Sequence, residues 1–137
     1  MITETTIDVR YPDCDPMGIV HHAVYPIWYE MARMDFFAKM GFSYADMNAL
    51  GINPPLVELD LKYNAPATYP GTVTVKTRMT AYAPKKLELS YETYFGNKLC
   101  GTARTFHIWT GPDMKSLDLE QNLPEVYAKI GAAYEGV

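Results

Sequence analysis

Asp13-Cys14-Asp15-Pro16-Met17-Gly18-Ile19-Val20-His21-His22 runs directly into residues 23–40, Ala-Val-Tyr-Pro-Ile-Trp-Tyr-Glu-Met-Ala-Arg-Met-Asp-Phe-Phe-Ala-Lys-Met, and the rest of the chain makes sense around that join. The first stretch is a polar loop rich in turn formers, with two carboxylates, a thiol, a glycine and two imidazoles. The second reads as one long helix. Its polar side chains are few: Glu30, Arg33, Asp35 and Lys39. Apolar residues occupy nearly every face, among them Val24, Ile27, Trp28, Met31, Met34, Phe36, Phe37 and Met40. A helix apolar all round is expected to be buried. At 1.5 Å per residue it spans about 27 Å, the width of a small domain. Four charges and an early proline argue against a membrane span. Such a helix N-terminus carries unpaired N–H groups and a partial positive charge, so it suits an anion or an oxygen that becomes one.

Working outward, residues 6–11 alternate, with Ile7, Val9 and Tyr11 on one side, and read as a first strand ended by Pro12. The helix is expected to start between His22 and Pro26, since proline is tolerated only in a first turn. Gly41 ends it. Residues 43–50 read as a short helix capped by Ser43 and closed by Gly51, and Asn53-Pro54-Pro55 is a break. Residues 56–110 read as antiparallel sheet. Val57, Leu59, Leu61 and Tyr63 alternate with polar residues; so do Val73, Val75, Thr77, Met79 and Ala81, and Leu87, Leu89, Tyr91, Thr93 and Phe95. Pro84-Lys85-Lys86 and Gly96-Asn97 are turns, and Gly101 marks a bulge or close contact. Residues 114–122 are expected to be irregular, and Pro124 opens a last helix carrying Val126, Tyr127, Ile130 and Tyr134. One strand, one buried helix and a run of strands is an α+β pattern.

The chain has 137 residues, enough for one domain with a core, and 48% of them are apolar. A net charge of −4 without a basic run argues against nucleic acid as main partner. The N-terminus shows no signal-peptide pattern, so Cys14 and Cys100 are expected as reduced thiols in the cytoplasm.

Asp15 is the favoured candidate for chemistry: a carboxylate just before a helix N-terminus can act as nucleophile or as general base on water. The plain alternative is an Asx-turn before Gly18. Asp13, directly after Pro12, reads as structural. His21 and His22 are adjacent and are expected to point apart. With Asp13 and Asp15 they match no established metal-ligand spacing. A Cys14 thiol between two carboxylates is disfavoured as a thiolate. Glu30 on the helix faces a rim, reaches a site, or pairs with Arg33 or Arg10. Trp28 and Trp109 read as core. Lys85 and Lys86 are either phosphate contacts or two solvated turn lysines.

Residues 13–20, followed by Tyr25, Trp28 and Glu30, resemble the signature of the 4-hydroxybenzoyl-CoA thioesterase family of hotdog-fold proteins. An Asp, a Gly three residues on, then Val, Tyr, an aromatic and an acid on the helix is also similar to acyl-CoA thioesterases of the Tol–Pal type. The resemblance covers the elements up to Thr110. It implies a hotdog fold over residues 1–137, a sheet wrapped round the long helix, paired edge to edge in a homodimer or homotetramer with active sites at the dimer interface. It implies an acyl- or aroyl-CoA substrate, hydrolysed to free acid and CoA, with no metal or other cofactor. Asp15 falls on the family's catalytic carboxylate. His22 falls at the helix N-terminus whose backbone N–H polarises the thioester carbonyl, and Gly18 lets the loop pass close to substrate. Tyr25, Glu30, Lys85 and Lys86 are the implied substrate contacts. Two other functions stay open on this reading: hydrolysis of an acyl-carrier-protein thioester, and a non-catalytic acyl-CoA binding module.

Overall fold

The structure is a computed structural model and describes residues 1–134. Strands β1 (Ile2–Asp8), β2 (Leu56–Tyr63), β3 (Thr72–Ala83), β4 (Lys86–Phe95) and β5 (Lys98–Ile108) form one antiparallel sheet in the order β1-β3-β4-β5-β2. Helix α1 (Tyr25–Met40) crosses its inner face. Helices α2 (Tyr44–Ala49), α3 (Leu119–Asn122) and α4 (Pro124–Gly131) complete the described fold.

The alternating pattern of β3, β4 and β5 puts Val73, Val75, Met79, Leu87, Leu89, Tyr91, Cys100 and Ala103 on the buried side. They pack against Tyr25, Trp28, Tyr29, Ala32, Phe36 and Phe37 of α1, which recur at helical spacing. Trp28 and Trp109 are core residues, as expected. The C-terminal half of α1 is tied to β1: the Thr5 hydroxyl donates to Asp35 Oδ2 at 2.6 Å, and Lys39 Nζ donates to the Glu4 carbonyl at 2.9 Å. Its N-terminal half lies beside β2 and β5, where Tyr25 meets Tyr63 edge to face at 5.0 Å. Gly41 ends α1 in the left-handed region at φ 95°, and Ser43 caps α2 through a reciprocal box with Asp46.

Four expectations are corrected. The first strand is Ile2–Asp8, not residues 6–11: Asp13 accepts from the Arg10 N–H and turns the chain, leaving Tyr11 76% exposed against Tyr69. Helix α1 is not buried all round, because the sheet covers one side only; Ile27, Met31 and Met34 are 56%, 45% and 45% exposed. Strand β2 is an open edge with a register shift between Leu56 and Glu58, so the alternation through Val57 breaks and Val57 is 57% exposed. Residues 114–122 are not wholly irregular, since Asp118 caps α3 by accepting from the Gln121 N–H at 2.9 Å. The last helix starts at Pro124 as expected, with Ile130 fully buried.

Among the described residues no helix is long and apolar enough to cross a membrane.

Candidate active site

Residues 13–22 form a small closed loop. Cys14 and Val20 bridge, the Asp15 N–H donates to Ile19 O, and the Gly18 N–H donates to Asp15 O, both at 2.9 Å. That turn requires φ of 81° at Gly18, the left-handed region where a side chain is strained. The loop is pinned from both sides. The Val20 N–H donates to Ala67 O, and the His21 N–H donates to Asp13 O. Asp13 is buried and receives the Arg10 guanidinium at 2.8 Å, the structural role expected of it.

Asp15 is partly exposed. Its Oδ1 accepts from the Met17 N–H at 2.8 Å, so the Asx-turn does form. Among the described residues its Oδ2 has no hydrogen-bond partner. One carboxylate oxygen thus orients the group and the other is open.

The chain enters α1 through a 3-10 turn, His22–Val24, so His22 opens that turn rather than the α-helix itself. His21 caps the turn: its Nδ1 accepts from the Ala23 N–H at 3.0 Å, which puts the ring proton of the neutral form on Nε2. The two imidazoles do not diverge as expected; their rings lie 4.1 Å apart at a 30° tilt, because the turn folds them onto one side. The His22 carbonyl accepts from the Tyr63 hydroxyl at 2.7 Å, joining the turn to the β2 edge. Nothing among the described residues accepts from the His22 N–H.

Tyr25 and Tyr29 form the wall behind this turn. Both are buried, and burial pushes both hydroxyls up from the usual phenol range. They fit because residue 101 is glycine. A Cβ there would stand 3.2 Å from Tyr25 Cε2 and 3.3 Å from the Tyr29 hydroxyl, so the expected close contact at Gly101 exists.

The remaining candidates are spread out. Glu30 is exposed and pairs with neither arginine: Arg10 holds Asp13, and Arg33 donates to two tyrosines. Lys85 and Lys86 are exposed at the β3–β4 turn. That turn is at the far end of the strands from Asp15, since Lys86 pairs with Ile108 whereas Gly101 pairs with Tyr63. The length of β4, about 30 Å at 3.3 Å per residue, separates them within one chain. Cys14 and Cys100 are free thiols, and burial pushes Cys100 up.

A second polar cluster is absent from the sequence reading. Arg33 Nε–H donates to the Tyr44 hydroxyl at 3.0 Å and Nη1–H to the Tyr91 hydroxyl at 3.2 Å. Tyr91 meets Thr105 at 2.7 Å, Thr105 meets His107 Nε2 at 2.8 Å, and His107 Nδ1 meets the Pro54 carbonyl at 2.9 Å. The donors follow from one end. A carbonyl only accepts, so Nδ1 carries the proton and Nε2 accepts from Thr105; Tyr91 must then donate to Thr105 and accept from Arg33. Burial holds His107 down to about 4, and Arg33 adds to the shift. The available signal was spacing: Arg33 stands four residues after Tyr29 on the core face, and His107 shares the inward phase of Thr105.

Residues 9–125 match the thioesterase-like superfamily. The Bacillus subtilis (strain 168) protein named "Putative acyl-CoA thioesterase YneP" is 36% identical over 93 residues, which is 68% of this chain and 67% of that protein. The crystal structure of DHNA-CoA thioesterase from Staphylococcus aureus is 33% identical. It superposes with a TM-score of 0.90, over 96% of this chain and 89% of that one. A mutant 4-hydroxybenzoyl-CoA thioesterase complexed with 4-hydroxybenzoyl-CoA has the same fold, with a TM-score of 0.82 over 94% of this chain and 97% of that one, at 18% identity. The chain belongs to the thioesterase-like superfamily and is a hotdog-fold thioester hydrolase.

Proposed function

We propose that the protein hydrolyses an acyl- or aroyl-CoA thioester to the free acid and CoA, as a homo-oligomer whose active site lies at a dimer interface. The observation that carries this reading is the pairing of an open Asp15 Oδ2 with an unpartnered His22 N–H on one pinned loop. Thioester hydrolysis builds negative charge on the carbonyl oxygen, and a fixed N–H at the start of a helical turn stabilises it without reorganisation. Asp15 attacks the carbonyl carbon itself or takes a proton from the attacking water. The leaving thiolate is a modest base, so a strong general acid is not required. Gly18 keeps the approach to the loop free of a side chain, with nothing within 4 Å of where its Cβ would be. Tyr25 and Tyr63 form the wall on the sheet side.

The open β2 edge supports the dimer. Leu56, Val57, Leu59 and Tyr63 are between 39% and 57% exposed on a strand with unpaired backbone groups, a template for pairing. A two-fold axis through this edge runs the two β2 strands antiparallel. The Leu56 end of the second copy then lies beside the Tyr63 end of the first. The second copy's Lys85 and Lys86 come to the same end as Asp15, three strands away, about 14 Å at 4.8 Å per strand. In this arrangement they meet CoA phosphates, and Glu30 faces the acyl group or its water.

The test is thiol release from CoA esters of short, medium and long acyl, benzoyl, hydroxybenzoyl and phenylacetyl groups, with Asp15→Asn beside the parent. Turnover by the parent that collapses in the variant is the expected result. No release from any ester, with CoA esters still bound, replaces the hydrolase by a binding module. Release only from acyl-carrier-protein esters replaces the carrier.

A further inference from the structure

Arg33 holds a buried positive charge that has no ion-pair partner among the described residues. The residue is 7% exposed. Its Nε–H and Nη1–H go to two phenols, Tyr44 and Tyr91, and its Nη2 has no partner. No carboxylate of the described residues lies within ion-pair distance of it. Of the acids of α1, Asp35 holds Lys39 and Thr5, and the exposed Glu30 makes no ion pair with Arg33, although its charge reaches Tyr44. Neither phenol supplies an anion, because burial raises both hydroxyls. Burying a charge without an ion pair is costly, and an anion at the free Nη2 would offset that cost.

The position of that charge is informative. Tyr91 bonds Thr105, and Thr105 stands directly opposite Leu59 in the β5–β2 register. Residues opposite one another in an antiparallel pair share a face. Arg33 therefore lies over β4, on the inner face that β5 and β2 continue toward Tyr63 and Tyr25. From His22 to Arg33 the chain rises about 18 Å along the 3-10 turn and α1, and the arginine side chain leans about 5 Å back toward the N-terminus. Subtracting about 3 Å for a hydrogen bond at each end leaves about 7 Å, the span of a six- to eight-carbon chain.

Resting on the thioesterase reading above, we infer that Arg33 is a specificity-determining residue. It binds a carboxylate at the far end of the acyl group, so that the preferred substrate is the CoA half-thioester of a dicarboxylic acid rather than a plain fatty acyl-CoA. A carboxylate is favoured over a neutral hydroxyl because the guanidinium has no ion-pair partner among the described residues and keeps free N–H groups on its Nη2 side. The apolar flank of β2 suits the methylenes between the two ends.

The test compares suberoyl-CoA with octanoyl-CoA, equal in carbon number and differing in the terminal carboxylate, on the full-length protein. The parent is expected to favour suberoyl-CoA in kcat/KM by about tenfold or more, mostly through KM. Arg33→Met should reverse that ratio and Arg33→Lys should retain part of it, with thermal melts reporting whether each variant folds. The parent ratio decides alone if neither does. Hydrolysis of octanoyl-CoA with suberoyl-CoA equal or worse overturns this inference and leaves the thioesterase standing. A strong preference for 4-hydroxybenzoyl- over benzoyl-CoA that Arg33→Met abolishes, with suberoyl-CoA poor, also overturns it in favour of a phenolic oxygen. Release from none of these esters counts against both readings.

Discussion

Two polar clusters flank the N-terminal half of α1, and they are built in opposite ways. The loop at Asp15 is open and local. The turn itself is closed by bonds between residues a few positions apart, two longer bonds to Ala67 and Tyr63 tie it to the fold, and the Asp15 Oδ2 is left without a partner among the described residues. The cluster at Arg33 is buried and long-range. It draws on α1, α2, β4, β5 and the carbonyl of Pro54, so each bond depends on the tertiary fold. Local bonding can hold a group in place without much cost to stability. A buried chain of donors and acceptors, in contrast, contributes to stability only while every member is satisfied.

Asp15→Asn should lower thioester turnover by about a hundredfold to ten-thousandfold, while a thermal melt stays near that of the parent. Equal loss of melting temperature and activity would make Asp15 a structural residue. Acid should act on the other cluster. His107 is held at about 4 in the fold against 6.5 when unfolded, so its contribution is fully present above 6.5 and is lost as the pH falls toward 4. The size is about 3 kcal/mol, at 1.36 kcal/mol per unit, and denaturant melts from pH 7 to 4 would measure it. His107→Gln should flatten that dependence.

Smaller changes sharpen the contrast. Thr105→Val removes the donor to His107 Nε2 and the acceptor for Tyr91, and should cost about 2 kcal/mol in a denaturant melt. Gly18→Ala meets no atom within 4 Å, so only the backbone at φ 81° resists it; the expected cost is about 1 kcal/mol. A loss well above that would mean that the loop carries more of the fold than its local bonds suggest.

The open cluster was legible in the sequence and the buried one was not, for a physical reason. Gly18 and Pro16 announce a turn, Pro26 marks a helix start, and Asp13 after Pro12 reads as structural because its partners are neighbours in the chain. Arg33, Tyr91 and His107 are far apart in sequence, and each looked like one more residue of its own periodic element. The strand phases of β3 and β4 were readable for the same reason as the loop, since alternation is a local signal. The extent of β1 was not, because it is the pairing of Ile2 with Arg78 that extends the strand to the N-terminus.

By itself the sequence determined the α+β class, the long apolar helix, the turn before it and the candidate carboxylate, all properties of neighbouring residues and their periodicity. Strand pairing across the whole fold is what places β2 at a sheet edge beside β5, turns Ile27, Met31 and Met34 outward, and puts Lys85 and Lys86 at the opposite end of the sheet from Asp15. The tertiary structure alone buried Arg33 among hydroxyls. A residue's neighbours across the sheet are set by strand order and register, and these minimise the free energy of the whole chain rather than of any stretch of it.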